Sequence, residues 1–326
     1  MRKPRTGLLA RASALLFAAA WSASAAAQSV GTSEVFDAAA EGTRGNRISS
    51  QRCREFEHEQ TAVWITVHGK GWCLRYYAFG FGRQNPVAAG WLHGDILGGA
   101  TGKGPAGHQK GLGSAAMVRQ ERDLSLKYHM PFAFLARPGS YGSAGYHGAI
   151  RHTVLEADLV AAEVQALTVR YGVQSWVLGG HSGGGSLVAE MLDRRRDIGC
   201  AVVSSGAPDI NAYEAMHRIK MTTSGPLNAV ADVARMPRTP NQRVIVMGDP
   251  RDKNVFWPLQ QHYAGVLKAR GAKVTLLPLE RGLPPEYHSL VTLAETATGL
   301  CAQGVPTPRI QAELQAMPSQ EPRESN

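Results

Sequence analysis

The sequence predicts an α/β fold, in which a mostly parallel central sheet is opened by an antiparallel hairpin and covered by helices on both faces. Three observations predict it. Two β-rich runs stand back to back at 61–79. Apolar strand-length runs then alternate with helix-length segments from 87 to 301. Mid-chain, an apolar run passes straight into a helix through Gly180-His181-Ser182-Gly183-Gly184. A chain of 326 residues with an apolar fraction of 44% has room for one large domain or two small ones.

Each element has its own signal. Residues 61–67 (TAVWITV) read as a strand and 73–79 as its hairpin partner, joined through Gly69-Lys70-Gly71 by a loop somewhat longer than the tightest type. Residues 87–92 form a third strand that ends at His93-Gly94-Asp95, ahead of a Gly-rich stretch at 98–113. A helix at 114–128 and a buried-type strand at 131–136 (PFAFLA) follow. The helical pattern at 155–171 is strong; a short strand at 175–178 and a helix at 186–195 come next. Residues 200–204 (CAVVS) and 243–247 (RVIVM) are strands on either side of a mixed, Pro-punctuated insertion, 207–242. Helix 260–270, strand 273–279 and helix 289–301 complete the alternation. The main domain is placed at 60–304, with 28–59 an N-terminal lead-in, loosely held over 28–50, and 305–326 a flexible tail holding a short helical piece.

The first 27 residues stand apart. Arg2, Lys3 and Arg5 precede an apolar run at 12–21, then Ser22-Ala23-Ser24-Ala25-Ala26-Ala27. That is the pattern of a secretory signal cleaved after Ala27, too short for a bilayer span. No later segment is apolar enough to span a membrane. Removing a segment with four basic and no acidic residues lowers the net charge from +9 to +5. The one tight basic run, 194–196, reads as a solvated helix end and has no aromatic interleaving, so no nucleic-acid partner is expected. Four cysteines without a C-x-x-C pair favour disulfides in an exported protein, paired Cys53–Cys73 and Cys200–Cys301 by their regions of the chain.

The chemistry centres on Ser182. Strand, G-x-S-x-G and helix in immediate succession form a nucleophile elbow, with flanking glycines where side chains would collide. The free N–H groups of the helix start lie under the serine and favour negative charge. At these residues the chain resembles the α/β-hydrolase superfamily, over about 60–302. Leu92-His93-Gly94-Asp95 resembles its HG turn after the third strand. Arg137-Pro138-Gly139-Ser140-Tyr141-Gly142-Ser143 resembles its R-P-G-x-G-x-S turn, and Gly248-Asp249-Pro250-Arg251-Asp252-Lys253-Asn254-Val255 its acid turn, each with one extra residue.

In that superfamily the chain order is Ser, then Asp or Glu, then His. Of the histidines after Ser182, His217 lies in the insertion and His262 within a helix; His288, on a loop past the last strand, is the expected base. Asp252 is the expected acid by register, with Asp249 and Asp209 as alternatives. The oxyanion donors implied are the backbone N–H of Gly183 and that of Gly94 or Asp95. The Asp95 side chain is unexpected there: it either points away or binds a substrate amine. His68-Gly69 and His147-Gly148 read as local structure.

The resemblance implies an exported serine hydrolase that cleaves a carboxylic ester through an acyl-enzyme, or else a dipeptidyl-peptidase-like serine peptidase. A binding protein with a dead site on the same fold is a third reading. The implied partner is a small ester or peptide, with no cofactor. Gly102-Lys103-Gly104 fails the P-loop pattern, and His58-Glu59 lacks the second histidine of a zinc protease, so no metal is expected either. Met216, Met221, Leu227, Val230 and Met236 in the insertion are either a substrate lining or ordinary core.

Overall fold

In a computed structural model, the described residues are 34–37, 40–41, 44–97, 111–222 and 225–319. The leader at 1–27 and the Gly102-Lys103-Gly104 stretch lie outside them. Eight strands form one sheet: β1 (Ala62–Val67), β2 (Lys70–Phe79), β3 (Asn85–Leu92), β4 (Phe132–Leu135), β5 (Val173–His181), β6 (Ile198–Ser204), β7 (Arg243–Gly248) and β8 (Lys273–Pro278), in spatial order β1-β2-β4-β3-β5-β6-β7-β8. Only β1–β2 and β2–β4 pair antiparallel. The hairpin is tighter than the sequence reading had it. Val67 pairs with Lys70, so the loop is His68-Gly69 alone, with φ of 50° and 74°. Two successive left-handed residues match the strand twist, and only the second needs to be glycine here.

The helices are α1 (Ser50–His58), α2 (Ser114–Tyr128), α3 (His147–Ile150), α4 (Val154–Tyr171), α5 (Gly183–Arg194), α6 (Ile210–His217), α7 (Ala229–Asp232), α8 (Trp257–Ala269), α9 (Val291–Ala302) and α10 (Thr307–Ala316). Alternating strand residues divide the core. Trp176, Leu178, Ala201 and Val203 bury with α4, α5 and α8, while Val177, Cys200 and Val202 bury with α2, α9 and α10. Both sheet faces are therefore covered, which explains why β3, β5 and β6 read as continuous apolar runs.

Both expected disulfides are present. Cys53–Cys73 ties α1 to β2, and Cys200–Cys301 ties β6 to α9. Residues 50–58 of the lead-in form a helix that the sequence did not announce: Ser49 caps it by accepting from Arg52 N–H, and Cys53 and Phe56 are buried. In the tail the helical piece is α10, and Ile310 and Leu314, one turn apart, are buried. Arg194 and Arg195 are not a solvated run. Arg194 pairs with Glu190 and Asp158, and Arg195 with Asp197. Among the described residues, no helix is long and apolar enough to cross a membrane.

One core position is poorly matched. Glu163 on α4 is fully buried and both its carboxylate oxygens lack a hydrogen-bond partner. Burial pushes its pKa well above the ordinary carboxylate range. The native state therefore keeps a proton that the unfolded chain releases near pH 4.3. Above that pH the residue costs stability, increasingly until the native pKa is passed. Glu163→Gln removes this titration. In urea unfolding, the variant is expected to gain on the parent as pH rises from 4.5 to 8, by on the order of 1–3 kcal/mol. A constant difference across that range would show that Glu163 does not titrate as argued.

Candidate active site

The parallel strands end in register. Leu92 pairs with Gly180, His181 with Ser204, Ser204 with Met247, and Gly248 with Pro278. The loops leaving these carboxyl ends carry His93-Gly94-Asp95, Ser182, Asp252 and, beyond β8, His288, so the sheet gathers them at one rim.

Ser182 joins β5 to α5 with φ 56° and ψ −123°, a strained conformation for a side chain with a Cβ. Close approach of the backbones explains the glycines. A Cβ on Gly180 would lie 2.5 Å from the Gly184 backbone, and one on Gly184 would strike the Leu92 carbonyl oxygen. The serine N–H donates to Ser204 O at 2.9 Å, which fixes the turn against β6.

His288 sits on the loop between β8 and α9. Its Nδ1 lies 2.8 Å from Asp252 Oδ2. The Asp252 side chain is fully buried, and its Oδ1 accepts from the N–H groups of Asn254 (2.8 Å) and Val255 (2.9 Å). Two further bonds hold the loops together: Lys253 N–H to Glu286 O at 2.9 Å, and Ser205 Oγ to His288 O at 3.3 Å. The His288 ring centroid is 4.8 Å from that of His181, the residue before the serine. His288 Nε2 is buried and has no hydrogen-bond partner.

The alternatives are occupied elsewhere. Asp249 binds the Arg251 guanidinium at 2.8 and 2.9 Å and accepts from Gly282 N–H at 3.0 Å; burial raises its pKa, but these bonds outweigh that and lower it. Asp209 caps α6 by accepting from Ala212 N–H. His262 is exposed on α8. His217 bonds the Asn254 carbonyl at 2.7 Å, and Tyr213 OH donates to Asn254 Oδ1 at 2.8 Å, so α6 braces the acid turn from above. Gly183 opens α5, where its N–H has no partner within the helix. Gly94 stands against the serine: a Cβ there would be 3.3 Å from Ser182 Cβ and 3.9 Å from its Oγ.

Solved structures carry the same architecture. An esterase of Pyrococcus furiosus aligns over 79% of this chain and 95% of its own, with a TM-score of 0.52 at 13% identity. A puromycin-hydrolyzing peptidase of Mycobacterium tuberculosis aligns over 75% of this chain and 40% of its own, with a TM-score of 0.50 at 14% identity. The chain has the α/β-hydrolase fold. It spans 36% of the acylaminoacyl peptidases it also matches, one from Pyrococcus horikoshii among them. No protein-family model matches the sequence, and no curated protein does.

Around this α/β-hydrolase elbow, the sequence reading missed a charge cluster. Asp95 does not face outward. Its Oδ1 binds Arg137 Nη1 at 2.8 Å, and its Oδ2 binds Arg151 Nη1 and lies 2.8 Å from His152 Nε2. Burial pushes the Asp95 pKa up, but His152, Arg151 and Arg137 prevail and hold it well below the usual range. Arg137 is wholly buried and also binds Glu156 Oε1 at 2.8 Å, while Glu156 Oε2 accepts from His152 N–H at 2.7 Å. His147 is close by, its Nε2 3.8 Å from Asp95; burial and then the Arg137 charge lower its pKa, so the ring is neutral. His147-Gly148 is therefore part of the setting of the site rather than a local turn alone.

Of the insertion's apolar set, Leu227 and Met236 are buried in the core, Met221 and Val230 pack against it, and only Met216 is exposed. Glu190, Asp193 and Asp232 are the described carboxylates close enough together to share an ion. They are already met by arginines: Arg194 at 2.6 Å from Glu190 and 2.7 Å from Asp193, and Arg235 at 2.5 Å from Asp232. An ion-pair network accounts for them.

Proposed function

We propose that this chain is an exported serine hydrolase that cleaves a carboxylic ester, with Ser182 as nucleophile, His288 as base and Asp252 as acid. The observation that carries the proposal is the 2.8 Å contact from Asp252 to His288 Nδ1, with Nε2 left unpartnered and the ring 4.8 Å from that of His181, the residue before Ser182. A carboxylate on Nδ1 fixes the tautomer with its proton there, so Nε2 is the acceptor.

Ser182 Oγ attacks the acyl carbon and passes its proton to His288 Nε2. Negative charge gathers on the carbonyl oxygen, facing the N–H groups of Gly183 and of Gly94 or Asp95. The collapsing intermediate expels the alcohol, which takes the proton from His288. Water, deprotonated by the same nitrogen, then attacks the acyl-enzyme, and Ser182 recovers its proton as the acid product leaves.

Asp95 favours the ester over a peptide read by its free amino terminus. Reading an ammonium group takes a carboxylate with an oxygen to spare, and both oxygens of Asp95 are taken by Arg137, Arg151 and His152. The leader-like first 27 residues and two disulfides support export.

A fluorophosphonate probe is expected to label the folded protein, and p-nitrophenyl esters are expected to turn over at least tenfold faster than aminoacyl- or dipeptidyl-coumarin amides. Labelling with faster amide turnover would move the assignment to a peptidase. No labelling would leave a binding protein on a hydrolase fold.

A further inference from the structure

The geometry points to Arg137 as a positioning residue for the oxyanion turn. This rests on the serine hydrolase reading above and assigns a role to a residue outside the triad. Arg137 follows β4, which pairs with β3 on the side away from β5, and its side chain reaches across the end of β3. Nη1 donates to Asp95 Oδ1 at 2.8 Å and to His93 O at 3.3 Å. The Arg137 backbone N–H meets His93 Nε2 at 3.3 Å, and His93 Nδ1 lies 2.6 Å from Gly94 O. Arg137 therefore holds His93 and Asp95 directly and Gly94 through the His93 ring, the turn whose N–H is assigned to the oxyanion.

The pair also touches the other donor. A Cβ built on Gly183 would lie 2.5 Å from Arg137 Nη1 and would strike Asp95 Oδ1. Only glycine allows the ion pair to rest against the backbone that carries this N–H. Asp95 is an anion beside a place where negative charge develops, which by itself would raise the barrier. Arg137, fixed from behind by Glu156, offsets it together with Arg151.

Stability is a poor explanation for this arrangement. A buried pair gives little over apolar packing, and Arg137 Nη2 is buried with no partner. What the arginine supplies is a fixed turn and a compensated charge.

The test compares Arg137→Gln with the parent on a p-nitrophenyl ester, with phenylboronic acid as a tetrahedral mimic. We expect kcat to fall roughly 10²-fold, with KM within about threefold and boronate affinity falling in step with kcat. Arg137→Lys should recover part of kcat, because it restores the charge without the second contact. Asp95→Asn added to Arg137→Gln should also raise kcat, because it removes an anion that has lost one of its two arginine partners. If Arg137→Gln does not fold, Glu156→Gln loosens the same arginine and is expected to lower kcat in the same pattern by a smaller factor. Unchanged kcat and boronate affinity in a folded variant overturn the positioning role while leaving the hydrolase reading intact. A parent that no fluorophosphonate labels overturns both.

Discussion

Replacing Ser182 with alanine is expected to abolish fluorophosphonate labelling and to lower ester turnover by roughly 10⁵–10⁶-fold, without unfolding the protein. The residual rate would come from binding and the oxyanion donors alone. The backbone argument adds a second readout. Ser182 holds φ 56° and ψ −123° whatever atom its Cβ carries, so alanine inherits the same strain. Glycine does not. Ser182→Gly is therefore expected to be equally inactive but more stable than Ser182→Ala by about 1 kcal/mol, because glycine relieves the positive-φ strain. Labelling that survives Ser182→Ala would place the nucleophile elsewhere and end the proposal.

The parts of the site that were legible in the sequence were those whose signal is local. A strand, G-x-S-x-G and a helix follow one another without a break around Ser182, and the packing that demands each glycine is the packing of immediate neighbours. The mostly parallel sheet with its antiparallel hairpin was legible because alternation of strand and helix leaves few ways to build a covered sheet. His288 and Asp252 were reached by chain order and turn register, and the structure sets them 2.8 Å apart. The cluster around Asp95 was not legible. Its partners stand 42 to 57 residues away, on two different turns, and arginine beside proline or histidine has no local periodicity that announces a buried role. Helix α1 was missed for a related reason. Its sequence, SQRCREFEH, is polar apart from Phe56 and Cys53, and it is held by a disulfide to β2 rather than by an apolar stripe. The hairpin loop was read three residues too long, as 68–72 where the structure has 68–69, because His68 was not recognised as a left-handed residue, which is uncommon for a side chain with a Cβ.

The acid offers the sharper test of the site. Asp252→Asn is expected to lower kcat by roughly 10⁴-fold, close to the loss on deleting the base outright, even though the side chain keeps its size. The cause lies in which oxygen is committed. Asp252 Oδ1 accepts two backbone N–H groups, from Asn254 and Val255, so an amide must place its carbonyl oxygen there. Its NH₂ then faces His288 Nδ1, which has to become an acceptor. The imidazole proton moves to Nε2, and the nitrogen that should take the proton from Ser182 can no longer do so. His288→Ala is expected to cost at least about 10³-fold, and combining it with Ser182→Ala should cost little more than Ser182→Ala alone, because the residues act as one unit. Asp249→Asn and Asp209→Asn separate this from a general effect of charge. The first weakens the tie from Asp249 to Arg251 and Gly282, and the second weakens the cap of α6, so both should lower the unfolding midpoint while leaving kcat within about tenfold. A 10⁴-fold loss in either of these, with Asp252→Asn nearly silent, would reassign the acid.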